Sequence, residues 1–223
     1  MQMLRVAAVA MLALSLSQAA DRTPRRENIE WTDVWFPNSK VHDLPRVALI
    51  GDSITRAYFH AVEAALKGKA YCARIATSKA IGDPALPAQI ALFLSEEKFD
   101  VVHFNIGMHG WDYTEDEYRQ FLPELLAAVR KGAPGAKLIW ASTTPVRKDK
   151  EAGPSNARIE NRNRIAREFF GKQGIPIDDL HAAIAGHDDL HSDDVHFNAE
   201  GSKMLAASVA ASVEKALTGA SGR

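Results

Sequence analysis

Cysteine is almost absent. Cys72 is the only one in 223 residues, so no internal disulfide forms and the core has to hold the fold. It sits in the apolar stretch "AYCARIA" and reads as a small buried hydrophobe. An excess of either charge is missing too: 27 lysines and arginines stand against 28 aspartates and glutamates. That balance leaves no global field to gather nucleic acid or an anionic membrane. The local basic stretches, 147–150 and 158–167, are interleaved with Asp149, Glu151, Glu160 and Glu168 and read as solvated surface. There is no internal repeat, no low-complexity segment and no sign of a second domain.

With 46% hydrophobic and 25% charged residues, the chain has the balance of one α/β domain with a full core. Its N-terminus carries an address. Arg5 precedes the apolar run from Val6 to Leu16, and Ser17-Gln18-Ala19 follows as a small-x-small pattern. The run is too short to span a bilayer as a mature helix. Residues 1–19 are therefore expected to be a signal peptide, cleaved to leave a periplasmic or secreted protein without a membrane span. An uncleaved N-terminal anchor is the alternative. Residues 20–45 show no clean period and read as a lead-in whose Trp31, Trp35 and Phe36 pack on the body. The domain proper is expected over 46–217, with 218–223 as a tail.

From Arg46 onward strand and helix signals alternate. "RVALI" precedes a helix with Ile54, Tyr58, Ala61, Val62, Ala65 and Leu66 on one face. "AYCARIA" precedes a helix expected to open at Asp83-Pro84. After "DVVHFNI", Thr114 and Glu117 form a capping box for a helix striped with Tyr118, Phe121, Leu122, Leu125, Leu126 and Val129. "AKLIWAST" is the fourth strand, a helix covers about 156–170, "GIPIDDL" is a short fifth strand, and the last helix begins near Asn198. Apolar strands without alternation imply a parallel sheet covered on both faces. The expectation is a flavodoxin-like three-layer sandwich with five parallel strands. Ligands bind outside the carboxyl ends of such strands, where Ser53, Gly107, His109, Thr143 and Thr144 fall.

A serine hydroxyl needs a base before it becomes a nucleophile. In "SDDVHFNAEG" Asp193 stands three residues before His196. On a tight turn that spacing lets the carboxylate reach the inner ring nitrogen while the outer one faces the nucleophile. Asp194 is the poorer orienter, because adjacent side chains diverge. The plain alternative for Ser53 is a helix cap. His103, inside the third strand, reads as a hydrogen-bonded core histidine. His187, Asp188, His191, Asp193 and His196 raise the question of a metal, but they lack an H-E-x-x-H frame and fall at irregular offsets. Turn-forming chemistry accounts for them, and no metal is assigned.

"GDSIT" near the start and "DDVH" near the end resemble the SGNH (GDSL-type) hydrolases over roughly residues 46–217. The resemblance implies a flavodoxin-like fold, no metal or organic cofactor, and ester or thioester hydrolysis through an acyl-enzyme intermediate. It implies Ser53 as nucleophile, Asp193 and His196 as its partners, and the Ser53 amide as one oxyanion donor. Gly82 in "TSKAIGDP" would supply a second amide. In the third block, usually G-x-N-D, this chain has "GMHG": His109 stands where asparagine is expected and Gly110 replaces the aspartate. A neutral imidazole can donate one N–H, and a protonated one would donate more strongly. Asn105 is a fallback donor. Asp52, Asn105, Trp111 and Thr144 are the candidate substrate contacts, and Trp111 fits equally well as a packing residue beneath its loop. No long apolar insertion suited to a lipase lid is visible. The expected function is a secreted serine esterase that removes small acyl groups, acetyl first, from carbohydrates, its partner being a small-molecule or polysaccharide ester. A lysophospholipase or thioesterase of the same mechanism is the nearest alternative, and the altered third block also permits a non-catalytic carbohydrate-binding protein. Oligomeric state is not encoded legibly.

Overall fold

The computed structural model describes residues 22–219, so the expected signal peptide and the end of the tail lie outside the described residues. In chain order the elements are β1 (Thr32–Trp35), β2 (Arg46–Gly51), α1 (Ser53–Ala65), β3 (Tyr71–Thr77), α2 (Leu86–Ser95), β4 (Val101–Phe104) and α3 (Glu115–Gly132). They continue with β5 (Lys137–Ala141), α4 (Asn156–Lys172), β6 (Ile177–Asp178), α5 (Leu180–Ile184), a 3₁₀ turn (Asp188–Leu190) and α6 (Ala199–Thr218).

The sheet has six strands in the order β1-β3-β2-β4-β5-β6. The last five pair in parallel, which is the doubly wound order with its switch point between β2 and β4. The sixth strand corrects the five-strand expectation. Residues 32–35 of the lead-in add an antiparallel edge, with Thr32 opposite Thr77 and Trp35 opposite Arg74. Four residues, three of them exposed, are too few and too open to solvent to show a period.

Along β2 the side chains alternate between two cores, because both faces of the sheet are covered. Ala48 and Ile50 join a cluster with α2, α3 and α4; Val47 and Leu49 join one with α1, α5 and α6. Helix starts follow local chemistry. Thr114 and Glu117 form the anticipated capping box, and Asn198 accepts from the Glu200 and Gly201 amides to open α6. Asp83 departs from expectation: it accepts from the Ala85 amide and the Lys79 ammonium, and the helix opens three residues later, at Leu86, with a proline in its first turn. No helix among the described residues is long and apolar enough to cross a membrane.

Candidate active site

Two loops meet at the carboxyl edge of the switch point. The β2–α1 turn is tight because Gly51 has no side chain: a Cβ there would stand 2.0 Å from Thr55 Oγ1. This is a demand for close approach rather than for an unusual φ. Asp52 is the helix cap, accepting from the Ile54 amide at 2.8 Å. Capping is thus provided one residue before Ser53, whose hydroxyl is left to other partners.

Its partner is His196. Ser53 Oγ lies 2.8 Å from His196 Nε2, and His196 Nδ1 lies 2.8 Å from Asp193 Oδ2. Asp193 Oδ1 accepts from the backbone amides of Val195 and His196, both at 2.7 Å, so one carboxylate shapes the turn and orients the ring. Burial opposes its charge, yet those two amides and the ring hold the Asp193 carboxyl far below the usual carboxylate range. Asp194 points elsewhere, toward Arg147 at 3.3 Å. A serine hydroxyl, an imidazole and a carboxylate in this order form the relay needed to deprotonate an alcohol as it attacks a carbonyl.

Ser53 and His196 open onto a cleft of about 370 Å³, together with His109, Gly110, Trp111, Lys150 and the lead-in residues Arg25 and Glu27. A roomier cavity of about 900 Å³ lies at the opposite end of the sheet, around Lys137 and Pro176. It has no nucleophile and base in contact, so chemistry rather than volume locates the site. Among the described residues no group of three or more His, Cys, Asp or Glu side chains is arranged to hold a metal ion. His191 instead packs against Phe197, with ring centroids 4.3 Å apart and the planes tilted by 40°.

Three expected substrate contacts do not reach the cleft. Asp52 is the buried cap. Asn105 is buried and its amide is consumed, donating to the Ala141 carbonyl at 2.7 Å and to Thr143 Oγ1 at 3.0 Å. Thr144 is buried beside them, in a space of about 10 Å³. Strand-end position is readable from sequence, but the direction of each side chain there is set by packing. Gly82 does not line the cleft either; the Tyr113 ring packs where its Cβ would be, at 2.5 Å. His109 does line the cleft. The Gly110 that replaces the usual aspartate has φ +75°, and a Cβ there would meet Ala80 at 2.4 Å, so the backbone itself selects glycine. Trp111 satisfies both readings, facing the cleft while its ring carries the Arg162 guanidinium at 4.1 Å.

Arg162 corrects the reading of 158–167 as solvated surface. It is buried and donates to the carbonyls of Gly107, His109, Gly110 and Tyr113, clamping the loop that carries His109. Arg158 adds bonds to the carbonyls of Trp111 and Tyr113. The available signal was spacing: Arg162 lies on the same helical stripe as Ile159, Ala166 and Phe170. His103 is as anticipated, buried 2.9 Å from Asp178 Oδ2.

The GDSL-like lipase/acylhydrolase family model matches residues 49–204, a span that includes Ser53, His109, Asp193 and His196. The chain belongs to the GDSL-like lipase/acylhydrolase family. Solved members of this fold agree in shape. A carbohydrate esterase family 3 protein from Talaromyces cellulolyticus superposes with TM-score 0.63 at 19% identity, covering 77% of this chain and 97% of that one. The lipase/acylhydrolase from Enterococcus faecalis gives 0.61 at 20%, covering 77% and 96%. The C-terminal catalytic domain of peptidoglycan O-acetyltransferase A from Streptococcus pneumoniae gives 0.59 at 21%, covering 78% and 96%. A search of curated proteins finds no match. For this GDSL-like chain the matched segment begins after the lead-in, so Arg25, Glu27 and β1 fall outside what the family model describes.

Proposed function

We propose that the protein is an exported serine ester hydrolase that removes small acyl groups, acetyl foremost, from carbohydrates. The observation that carries this reading is the unbroken contact from Ser53 Oγ through His196 to Asp193, at 2.8 Å for each link. In the proposed reaction Ser53 Oγ attacks the ester carbon while its proton passes to His196 Nε2. The resulting imidazolium, balanced by Asp193, gives that proton to the departing alcohol and leaves an acyl-serine. Water then repeats the sequence, losing a proton to His196, and releases the acid. The first amide of α1, that of Ser53, has no carbonyl one turn back and is free to face the oxyanion.

A cleft of about 370 Å³ suits a short acyl group, and Trp111 beside Asp112 on its wall suits a sugar ring. The carbohydrate esterase and the peptidoglycan O-acetyltransferase among the similar folds agree with an acylated-glycan substrate, and the apolar run near the N-terminus agrees with export. An organophosphonate probe followed by peptide mapping tests the mechanism, and hydrolysis of acetylated sugars against p-nitrophenyl esters of graded chain length tests the substrate. Labelling of Ser53, lost in Ser53→Ala, with acetyl turned over fastest is the expected result. An unlabelled folded protein would mark a binding-only member, and preference for long chains would overturn the acetyl assignment.

A further inference from the structure

His109 is tied to the lead-in. Its Nδ1 lies 2.9 Å from Oε1 of Glu27, an oxygen that also accepts from the Gly110 amide at 3.4 Å. Its Nε2 is buried without a hydrogen-bond partner, and the residue shares the cleft with Ser53. A carboxylate at Nδ1 fixes a proton on that nitrogen. In a neutral ring this leaves a lone pair on Nε2, which repels an oxyanion. Only the doubly protonated ring offers an N–H there. We infer that Glu27 holds His109 as an imidazolium whose Nε2–H is the third oxyanion donor, with Glu27 a positioning residue acting through it. The inference rests on the reading of Ser53 as nucleophile.

The surrounding charges support the assignment. Burial disfavours the charged ring, but the Glu27 hydrogen bond and the negative charges of Asp52, Glu27 and Glu30 outweigh it and raise His109 above the ordinary histidine value. Burial likewise disfavours the Glu27 carboxylate, and the His109 ring and Gly110 amide still hold it below the usual range. The neighbouring cations are mostly engaged. Arg162 binds the carbonyl side of the loop, including His109 O at 3.1 Å. Arg25 is paired with Glu117 at 2.6 Å, and Lys79 with Glu30 and Asp83. Lys150 and His196 line the same cleft, and His196 has to be neutral when it acts as base.

The consequence is a rate that fails on the alkaline side. In alkali His109 gives up its proton and turns a lone pair toward the oxyanion. Removing the Glu27 charge lowers the pH at which His109 deprotonates, so the alkaline limb moves, and it moves down. The experiment compares pH profiles of kcat/KM on p-nitrophenyl acetate for the wild type, Glu27→Gln and His109→Asn. Nitrogen-15 titration of the histidine rings in the wild type and Glu27→Gln accompanies it.

The expected result is an alkaline limb that falls by about one pH unit or more in Glu27→Gln and vanishes in His109→Asn. The His109 ring titration should move in step, and kcat above neutrality should drop about tenfold or more while KM stays nearly constant. A wild-type profile without an alkaline limb, a limb unmoved in Glu27→Gln, or a His109 ring that is neutral at pH 7 overturns the inference. If Glu27 were merely structural, the melting temperature would fall and the limb would stay in place. Absence of both turnover and phosphonate labelling overturns the nucleophile reading instead, and the ring titration still reports whether Glu27 holds His109 charged.

Discussion

Asp193→Asn changes one atom and reverses one proton. Asp193 Oδ1 accepts from the amides of Val195 and His196 at 2.7 Å each, and an asparagine carbonyl oxygen keeps both bonds, so the turn survives. The other oxygen, 2.8 Å from His196 Nδ1, becomes an NH₂ group, which can only donate. The ring must then accept at Nδ1 and carry its proton on Nε2, aimed at a Ser53 hydroxyl 2.8 Å away. No lone pair is left for the serine proton. The expected loss is about 10⁴-fold in kcat, equivalent to about 5.5 kcal/mol of barrier. The melting temperature should fall by no more than a few degrees, because the backbone bonds survive while the charge that strengthened them is lost. Initial rates on p-nitrophenyl acetate and a thermal melt read the two quantities separately. Asp194→Asn serves as control, since that carboxylate faces Arg147 and should leave the rate intact. An Asp193→Asn variant within tenfold of the wild-type kcat at an unchanged melting temperature would refute the orienting role.

Three further substitutions test the supporting frame. Asn105→Ala orphans the Ala141 carbonyl and the Thr143 hydroxyl and should lower stability by about 2–4 kcal/mol, read by urea unfolding, with kcat per folded molecule within about threefold of wild type; a large kcat loss without destabilisation would return Asn105 to the cleft chemistry. Gly51→Ala drives a Cβ to 2.0 Å from Thr55 Oγ1 and should destabilise by about 1–3 kcal/mol. Part of that loss should be recovered in the Gly51→Ala/Thr55→Ala pair, and strict additivity would deny the clash. Arg162→Lys weakens the hold on the Gly107 and His109 carbonyls, because one ammonium cannot replace a planar fork, while Tyr113 O keeps Arg158 and Gly110 O keeps the Tyr113 amide. The substitution should cost about 2–4 kcal/mol and expose the 107–113 loop to hydrogen exchange, whereas full protection there would refute the clamp.

What could be read in the sequence and what could not divide along physical lines. Strand–helix alternation, the capping box at Thr114 and the apolar stripes are local, so periodicity reveals them. Ser53, Asp193 and His196 were legible because each sits in a short stretch whose geometry is nearly self-contained: a strand-end turn for one, an i to i+3 turn for the others. For Asp52, Asn105 and Thr144 the sequence reveals the edge of the sheet but not the side, since strand-end side chains turn to cleft or core according to packing partners far away in sequence. Arg162 was hidden by its composition. Its charge suggested solvent, and only its register with Ile159 and Ala166 marked it as buried.

Glu27 was invisible for a different reason: it reaches His109 across 82 positions from a segment without any period. What fixes it is a series of contacts on either side. Arg22 pairs with Glu124 at 3.1 Å and lies over the Phe121 ring. Arg25 binds Glu117 and the Asp112 carbonyl, and its amide donates to the Tyr113 hydroxyl at 3.0 Å. Beyond Glu27, Glu30 holds Lys79 at 3.0 Å, and β1 pairs with β3 while Asp33 meets Arg74 at 2.8 Å. Each exposed pair contributes little alone, but a carboxylate anchored two residues before and three residues after has few places left to go. The edge strand therefore belongs to the chemistry as much as to the sheet. Its register sets where the lead-in crosses the cleft, and the crossing delivers a negative charge to the histidine that stands where the family usually has asparagine.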